Sequence, residues 1–436
     1  MNQHANTKIE SIDVEDIRFR FPELGHGSDA INPHTDYSNP YVTLTSNNGA
    51  GVGIGFSLGR GNEQICSAVK ELAPLVIGKS LDEVLFNFGE FKWILSNPVQ
   101  SRWIAPGSGP YYMAGGAIMN AAFDLWAKLE GKPLWRALAD LDPAEIVHMI
   151  DFRYVDHAIT REEAHSILKR EESAKEARID ILLENGLPCY FTTWIGTETS
   201  DLVKQIGTVR SERGISAFKL KVGSDISRDR DRLEAIRGEF GSNVSLLVDA
   251  NQVWSVDQAV KWMRNLAEYE ITWIEEPTAP DSVDGHRLIR EGLSDVGIEV
   301  VTGENCPNPQ VATQLIANHA VDRYQIDACR MMGVSDCLLV YLVAAKYGVP
   351  VCPHAGGSGL DELVPHLAAW NFVSCAPTED RVVVEQVGFC SEYFLQPSKV
   401  TDGMISIPRL PGYLVGMKES AKEHYSFPSG PAWNAE

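Results

Sequence analysis

The sequence predicts an α/β protein in which an N-terminal α+β unit is followed by a closed barrel of parallel strands. Two observations support this fold class. Residues 9–56 alternate polar and apolar side chains and end in a glycine-rich stretch, which indicates antiparallel strands, and amphipathic helical segments follow. After Asp151, eight short β-rich runs alternate with helical segments, a pattern typical of βα units on a parallel sheet. Eight such runs suit a closed barrel better than an open sheet.

Particular segments predict the individual elements. Helices of the N-terminal unit are predicted at 64–78, 81–95 and 114–131. Barrel strands are predicted at 189–194, 217–222, 245–250, 271–276, 298–304, 323–328, 349–354 and 381–386, and helices between them include 226–240, 256–269 and 335–348. The proline- and glycine-rich tail predicts an irregular strap that packs back on the rest. The expected domains are 1–145 (N-terminal unit), 146–395 (barrel) and 396–436 (tail).

Composition and charge narrow the class of function. The 436 residues carry a formal net charge of −21, and the acidic residues are spread along the chain, so nucleic acids and other polyanions are poor partners. No apolar run approaches the roughly 20 residues needed to cross a bilayer, and the first residues lack the apolar core of a signal peptide. Eight cysteines without a CxxC pair suggest reduced thiols. We therefore expect a cytoplasmic protein without a membrane partner.

Polar side chains recur at the ends of seven consecutive predicted strands. They are Lys219 with Lys221, Asp249, Glu275, Glu304, Asp327, His354 and Glu385. The gaps between them, about 23 to 31 residues, are close to the roughly 30 residues of one βα unit in a barrel. Because the carboxyl ends of barrel strands meet at one mouth, we expect these side chains to surround an active site.

Three of these side chains predict a metal site. Asp249, Glu275 and Glu304 follow adjacent strands, and three carboxylates that converge without a cation would repel one another. Oxygen ligands without cysteine or histidine favour a hard ion, Mg²⁺ first and Mn²⁺ second. Any single strand-end acid could instead cap a helix or form an ion pair, but three in consecutive units favour a metal.

Two pairs of side chains predict proton transfer. Lys219 and Lys221 are two residues apart, so both point to the same face of their strand. Mutual repulsion and burial would lower the pKa of Lys221 enough for it to act as a base. Asp327 lies one βα unit before His354 and could fix the tautomer of its imidazole. A solvated lysine pair and a structural histidine are the alternative interpretations.

The last of the strand-end groups, Glu385, follows the three valines Val382, Val383 and Val384. An apolar surround of this kind could raise the pKa of the carboxyl group. The protonated group could then donate a hydrogen bond to a developing oxyanion. An ion pair is the alternative interpretation of this residue.

The order of these motifs resembles that of the mandelate racemase subgroup of the enolase superfamily. The matching segments are Lys219-Leu220-Lys221, Val248-Asp249-Ala250-Asn251-Gln252, Trp273-Ile274-Glu275-Glu276-Pro277, Gly303-Glu304-Asn305, Gln325-Ile326-Asp327 and Pro353-His354. The resemblance implies a modified TIM barrel, (β/α)7β, with an N-terminal α+β capping domain. It also implies that Lys221 and His354 lie on opposite faces of the substrate and that the protein is a homo-oligomer. Of the two adjacent glutamates, it selects Glu275 over Glu276 as the metal ligand.

A narrower resemblance, to L-fuconate dehydratases and fungal L-galactonate dehydratases, covers nearly the whole chain. It rests on Gly27-Ser28-Asp29-Ala30, Asp36-Tyr37-Ser38, Arg102-Trp103-Ile104 and Asp151-Phe152-Arg153-Tyr154. It implies an N-terminal loop that closes over the distal hydroxyls of the substrate and carries Gly27, Ser28, Asp29 and Tyr37. Further substrate contacts are implied for Lys219, Asn251 and Glu385.

Two segments near the predicted mouth depart from the pattern of those dehydratases. The first is Thr192-Thr193-Trp194-Ile195-Gly196, which lacks part of an aromatic, glycine-rich continuation. The second is Gln386-Val387-Gly388-Phe389-Cys390, where close relatives carry a histidine-rich segment. Both segments bear on which sugar acid the protein accepts.

Together these residues predict a hydro-lyase that acts on a sugar acid such as L-fuconate or L-galactonate. Mg²⁺ would bind the substrate carboxylate and stabilise an enediolate, Lys221 would abstract the C2 proton, and His354 would protonate the departing 3-hydroxyl. The product would be a 2-keto-3-deoxy acid. A racemase or epimerase is the nearest alternative, because a base on each face can equally invert C2. A non-catalytic barrel with a binding or regulatory role is disfavoured because the ligands and bases are all present.

Overall fold

A computed structural model describes residues 4–19, 27–32, 37–55, 61–97, 100, 103, 107–375, 383–388 and 390–434. The strands are β1 (Ile9–Phe19), β2 (Tyr37–Ser46), β3 (Gly49–Ile54), β4 (Leu187–Thr192), β5 (Ala217–Lys221), β6 (Ser245–Asp249), β7 (Ile271–Glu275), β8 (Glu299–Thr302), β9 (Arg323–Tyr324), β10 (Val384–Gln386), β11 (Val400–Thr401) and β12 (Met404–Ile405). The α-helices are α1 (Asn62–Val76), α2 (Leu81–Leu85), α3 (Phe88–Ser96), α4 (Gly109–Leu129), α5 (Leu134–Ala139), α6 (Pro143–His148), α7 (Arg161–Glu171), α8 (Lys175–Asn185), α9 (Thr199–Arg213), α10 (Ile226–Phe240), α11 (Val256–Leu266), α12 (Val283–Leu293), α13 (Pro309–Ala317), α14 (Gly333–Tyr347), α15 (Leu360–Ser374) and α16 (Glu419–Tyr425). Within the described residues, no helix is long and apolar enough to cross a membrane.

The N-terminal unit is an antiparallel sheet, β1-β2-β3, covered by helices α1 and α4. The glycines of β3 allow α4 to pack directly against the sheet. A Cβ atom at Gly51 would lie 2.1 Å from the carbonyl oxygen of Ala121, and one at Gly53 would lie 2.4 Å from that of Ala117. The glycine-rich stretch of the sequence is therefore a packing surface as well as the end of a strand.

One predicted helix of this unit is wrong in extent. The segment 81–95 forms two helices, α2 and α3, because Phe86 and Asn87 have non-helical ψ angles of 0° and 42°. Asparagine has a low helix propensity, and the Asn87 side chain donates to Glu90 Oε2 (3.1 Å) at the start of α3. The apolar periodicity continues across the break, so the sequence pattern alone suggested one helix.

The barrel closes through eight strand positions. Strands β4 to β9 pair in parallel, each with the next. Val351 pairs in parallel with Tyr324 of β9, the N–H of Glu385 donates to the carbonyl of Pro353, and β10 pairs in parallel with β4. The seven helices α9 to α15 each lie between consecutive strand positions. The predicted (β/α)7β arrangement is therefore confirmed.

The C-terminal tail contacts both units. Its hairpin, β11-β12, pairs antiparallel with the first two residues of β4. The carboxylate of Asp124, on α4, is fully buried and accepts hydrogen bonds from Val52 N–H (2.8 Å) and from the tail residues Tyr413 N–H (2.6 Å) and Val415 N–H (3.1 Å). Lys128 Nζ lies 2.6 Å from the same carboxylate. Asp124 therefore joins the sheet, α4 and the tail, while the exact domain boundaries stay a prediction.

We expect Asp124→Asn to lower the free energy of unfolding by about 3 kcal/mol, because buried N–H donors lose a charged acceptor. Denaturant unfolding followed by circular dichroism measures this change. Asp201→Asn is the matched control, since Asp201 pairs with Lys204 at an exposed position and such pairs contribute little. Equal unfolding midpoints for the two variants would contradict the role of Asp124.

Candidate active site

The barrel interior is built in layers. A lower layer of apolar side chains consists of Tyr190, Leu247, Trp273, Val301 and Cys352. Residues two positions apart on a strand point to the same face, so the residues that follow this layer by two also point inward. At four strand positions these residues are polar, namely Thr192, Asp249, Glu275 and His354. The polar mouth of the barrel therefore rests on an apolar floor.

The three predicted metal ligands meet at this mouth. Asp249, Glu275 and Glu304 are buried, and one carboxylate oxygen of each lies within 4.8 Å of the others. Burial, followed by the charge of Asp249, raises the pKa of Glu275 well above its ordinary value. Such a cluster requires positive charge nearby.

Two lysines supply positive charge to the carboxylates. Lys219 Nζ lies 2.7 Å from Glu275 Oε1 and 3.7 Å from Asp249 Oδ2, and Lys221 Nζ lies 2.5 Å from Asp249 Oδ2. Burial lowers the pKa of Lys221, but the charges of Asp249, Glu304 and Glu275 together outweigh both burial and the repulsion from Lys219. The pKa of Lys221 is therefore raised. The expectation of a lowered pKa is wrong for this arrangement because the carboxylates outweigh the burial and the second lysine on which it rested.

The donor set of the carboxylates fits a divalent cation. All three groups are anionic oxygen donors, which hard cations prefer. Gln325 Nε2 donates to the outer oxygen of Glu275 (2.6 Å) and so orients that carboxylate. The cluster could hold a metal ion, in agreement with the expected magnesium cofactor.

The neighbouring glutamate, Glu276, is held away from the cluster. Its carboxylate accepts hydrogen bonds from Gln252 Nε2 (2.9 Å) and Asn305 Nδ2 (3.1 Å). Burial, and then the charge of Glu304, raise the pKa of Glu276. These amide partners distinguish Glu276 from Glu275, which is the glutamate that the resemblance selects as ligand.

His354 and Asp327 form the expected dyad. Nδ1 of His354 lies 2.7 Å from Asp327 Oδ2, and Oδ1 of Asp327 accepts the N–H groups of Cys329 and Arg330. The carboxylate therefore holds the proton of the ring on Nδ1, which leaves Nε2 for proton transfer. Burial would lower the pKa of His354, but the charges of Glu304 and Glu385 and the hydrogen bond that Nδ1 donates to Asp327 outweigh it and raise the pKa to about 10.

The Nε2 atom of His354 has a partner in either protonation state. The N–H of Gly356 lies 3.0 Å from Nε2 and can donate to it only when the ring is neutral. The protonated ring can instead donate to Glu304 Oε2, which lies 3.2 Å away. The two partners together let the ring hold or release a proton at Nε2 without leaving that atom unpaired.

Glu385 is ionised, contrary to the expectation of a protonated donor. Burial raises the pKa of Glu385, but Lys219, His354 and the hydrogen bond from Thr192 together outweigh this effect and lower the pKa to about 2. Lys219 Nζ lies 2.8 Å from Oε1, Thr192 donates to the same oxygen, and the N–H of Ala355 donates to Oε2 (2.8 Å). The valines before Glu385 indicated an apolar surround, whereas the cation comes from a different strand.

The N-terminal loop docks on the barrel through Ser28. The carbonyl oxygen of Ser28 accepts the N–H of Ile195 (3.2 Å), and its Oγ accepts the N–H of Gly196 (3.0 Å). Ile195 and Gly196 belong to the segment after β4 that departs from the dehydratase pattern. The structure thus gives Ser28 contacts with the barrel backbone in addition to its predicted place near the substrate.

Two further residues of the loop region lie close together. Gly27 has a φ of 79°, and a Cβ atom there would lie 2.2 Å from the ring of Tyr37. Glycine is required at this position by both its backbone and the space available. Burial raises the pKa of Tyr37, whereas the nearby charge of Lys221 lowers it, so Tyr37 lies within electrostatic reach of the predicted base.

Asp29 and Asn251, the two remaining residues predicted to contact substrate, make different hydrogen bonds with the backbone and side chains around them. Oδ1 of Asp29 accepts the N–H groups of Ile31 and Asn32, both at 2.7 Å, and so stabilises a turn. Asn251 has a φ of 46°, its N–H donates to Asp249 Oδ1 (2.8 Å), and its own Oδ1 is buried without a hydrogen-bond partner among the described residues. Asn251 can therefore accept a hydrogen bond from a ligand.

Sequence reasoning missed two groups that shape the site. Gln325 orients Glu275, and the alternation that places Gln325 on the same face as Asp327 could have revealed it. Thr192 bonds Glu385 across the closure of the barrel, a contact that no local pattern shows. The expectations that rest on Asp36, Arg102, Ile104, Val382 and Phe389 lie outside the described residues.

Known proteins share both the sequence and the fold. A family model described as "Enolase C-terminal domain-like" matches residues 201–421. Mitochondrial enolase superfamily member 1 of Bos taurus is 41% identical, over 98% of this chain and 97% of its own length. The chain belongs to the enolase superfamily. Another relative in sequence is L-galactonate dehydratase of Hypocrea jecorina, 42% identical over 98% of this chain and 96% of its own length.

Solved structures of the enolase superfamily agree with this fold. Human mitochondrial enolase superfamily member 1 superposes with a TM-score of 0.95 at 39% identity and covers 98% of both chains. L-talarate/galactarate dehydratase from Salmonella typhimurium LT2, liganded with Mg and L-lyxarohydroxamate, superposes with a TM-score of 0.75 at 24% identity, over 96% of this chain and 93% of its own. The predicted enolase-superfamily membership and fold class are confirmed.

We expect Gln325→Leu to weaken the affinity for Mg²⁺ or Mn²⁺ about 10- to 100-fold, because a group that orients a metal ligand is lost. Isothermal titration of the purified protein with each ion measures this change. Gln314→Leu, on the exposed face of α13, is the matched control and should bind both ions as the unaltered protein does. Unchanged affinity in Gln325→Leu would show that Glu275 needs no support from Gln325.

Proposed function

We propose that this protein is a Mg²⁺-dependent dehydratase that converts a sugar acid to its 2-keto-3-deoxy acid. One observation carries the proposal: the two proton-transfer groups contact different ends of the carboxylate cluster. Lys221 contacts Asp249, whereas His354 contacts Glu304. A substrate bound at the cluster would therefore meet a base on one side and a histidine on the other.

The relatives support this reaction class. L-galactonate dehydratase of Hypocrea jecorina aligns with almost the whole chain at 42% identity. L-talarate/galactarate dehydratase of Salmonella typhimurium aligns over 74% of the chain at 26% identity. We propose L-fuconate or L-galactonate as the substrate, in keeping with the segments Gly27–Ala30 and Asp151–Tyr154 of the sequence.

The chain supplies the groups for both proton transfers. When bound by Asp249, Glu275 and Glu304, a divalent cation supplies Lewis-acid polarisation of the substrate carboxylate, which acidifies the C2 proton. Lys221 takes that proton at Nζ. His354, whose Nδ1 proton is held by Asp327, gives a proton from Nε2 to the 3-hydroxyl as the C3–O bond breaks and water leaves. The resulting enol tautomerises to the keto acid: its 2-hydroxyl proton passes to the neutral Nε2 of His354, which delivers it to C3. The proton on Lys221 then returns to His354 through solvent, which resets both groups.

Other residues of the mouth would bind and orient the substrate. We assign substrate contacts to Gly27, Ser28, Asp29, Tyr37, Lys219, Asn251 and Glu385. Lys219 is buried between anionic groups and can face the substrate carboxylate, and the unpaired Oδ1 of Asn251 can accept from a substrate hydroxyl. We also propose that the protein is a cytoplasmic homo-oligomer with the domain boundaries 1–145, 146–395 and 396–436.

A second candidate function is racemisation or epimerisation at C2. The same contacts of Lys221 and His354 with the two ends of the cluster favour it, because a base on each side of C2 could remove the proton from one face and return it to the other. The dehydratase requires in addition that His354 acts as an acid toward the 3-hydroxyl. Nε2 of His354 has a hydrogen-bond partner whether the ring is neutral or protonated, which suits a group that gives up a proton.

We expect purified protein with Mg²⁺ to turn over L-fuconate or L-galactonate within a panel of aldonates, with 2-keto-3-deoxy acids read by semicarbazide absorbance. EDTA should remove the activity, and added Mg²⁺ should restore it, because the carboxylates alone cannot polarise the substrate. A panel without turnover by a protein that binds Mg²⁺ would overturn the proposed dehydration.

We expect Lys221→Ala and His354→Ala to lower kcat by at least about 100-fold, because each removes a proton-transfer group. Lys261→Ala, at an exposed position on α11, should retain full activity. Proton NMR of substrate recovered from D₂O separates the two candidate functions. Deuterium at C2 with inversion and without loss of water would identify an epimerase.

A further inference from the structure

A buried arginine on α10 lies directly behind the predicted base. Arg232 has no exposed surface, and its Nη1 donates to the carbonyl oxygen of Lys221 at 2.7 Å. Its Nη2 donates to the carbonyl oxygen of Trp194 at 3.1 Å. One guanidinium group therefore joins the end of β5 to the segment that follows β4.

The residue at the other end of this link also faces the base. The indole ring of Trp194 lies 5.8 Å from Lys221 Nζ. Arg232 thus fixes the backbone that carries Lys221 and the backbone that carries the ring beside it. A shift of either carbonyl would change the position of the Lys221 ammonium relative to the mouth.

The same segment continues to the capping unit. Directly after Trp194, the N–H groups of Ile195 and Gly196 donate to Ser28 of the N-terminal loop. The path from the loop to the base is therefore continuous: Ser28 holds residues 195–196, and Arg232 holds residue 194 against the end of β5.

Within the described part of the chain, Arg232 donates hydrogen bonds only to backbone carbonyls. Among the described residues no carboxylate forms an ion pair with it, and the nearby Asp229 instead accepts hydrogen bonds from the N–H of Gly223 and the indole of Trp262. Burial lowers the pKa of Arg232 to about 10, so the group keeps its charge and its donors at neutral pH. The charge of Asp229 attracts that of Arg232 from nearby, but the hydrogen bonds of the guanidinium hold two backbone carbonyls in place, which indicates a positional role for the group.

We infer that Arg232 is a positioning residue that couples the docked N-terminal loop, through Trp194, to the strand that carries Lys221. The consequence for catalysis rests on the proposed function, whereas the mechanical coupling does not. Only a planar fork of donors can span two carbonyls in fixed geometry, so lysine cannot replace arginine here.

Hydrogen exchange followed by mass spectrometry tests the coupling without substrate. In Arg232→Lys and Arg232→Met, we expect the amides of residues 195–196 to exchange about tenfold faster, because their segment loses an anchor. Ser28→Ala should raise exchange at the amide of Gly196, because it removes the Oγ acceptor of that N–H and keeps the carbonyl that binds Ile195. In the double variant with Arg232→Lys, the two effects should be less than additive, as expected for residues on one path.

Arg237→Lys is the matched control on the same helix. Arg237 also binds backbone carbonyls, those of Tyr269, Gly241 and Val244, but it does so at the amino end of β6. This variant loses comparable hydrogen bonds, yet it should leave exchange at residues 195–196 unchanged. Equal acceleration in Arg237→Lys, or none in both Arg232 variants, would overturn the coupling.

Steady-state kinetics tests the catalytic consequence. We expect Arg232→Lys to lower kcat about 10- to 100-fold with little change in KM, because a misplaced base slows proton abstraction more than binding. The isotope effect with C2-deuterated substrate should rise, whereas a loss of folded protein would lower the apparent kcat and leave the isotope effect unchanged. If the unaltered protein shows no turnover, the proposed function is refuted. The exchange measurements would still decide whether Arg232 couples the loop to β5. Normal kcat in Arg232→Lys with accelerated exchange would show that the coupling does not serve catalysis.

Discussion

Three buried carboxylates within 4.8 Å of one another are the constraint on which the mouth of the barrel depends. Like charges at this separation and burial cannot coexist without positive charge or donors around them. The neighbouring strands supply both: Lys219 and Lys221 as cations, and Gln325 as an amide donor. The apolar layer below the cluster keeps water out from beneath and makes each of these contacts stronger.

The need to balance the three carboxylates also explains the positions of the charged groups around them. Lys219 contacts both Glu275 and Glu385, so it links the carboxylate cluster to the strand that closes the barrel. His354 lies between Asp327 and Glu304 and so receives negative charge from both sides. The charged groups that balance one another at the mouth therefore come from most of the barrel strands, and the site is not formed by one element.

The sequence predicted the barrel and the gathering of its polar residues because both follow from local periodicity. A strand has a side-chain period of two and a βα unit has a nearly fixed length, so Asp249, Glu275 and His354 could be placed without coordinates. The ionisation of Glu385 could not be predicted, because its counter-charge, Lys219, lies on another strand. The split between α2 and α3 and the contacts of Ser28 depend in the same way on local dihedral angles or on packing across units.

The ion pairs of the two lysines distinguish their roles. Among the residues that the structure describes, Lys221 has an ion pair with Asp249 alone, and Asp249 belongs to the carboxylate cluster. Lys219 contacts Glu385 as well, a carboxylate outside that cluster, and so it keeps a counter-charge whatever the cluster binds. Of the two residues, Lys221 is the one whose single partner can be taken by another cation. A base needs such freedom, whereas a group that binds an anionic substrate needs a permanent charge. Under the proposed function, this difference suits Lys221 to accept a proton and Lys219 to remain a fixed cation beside Glu385.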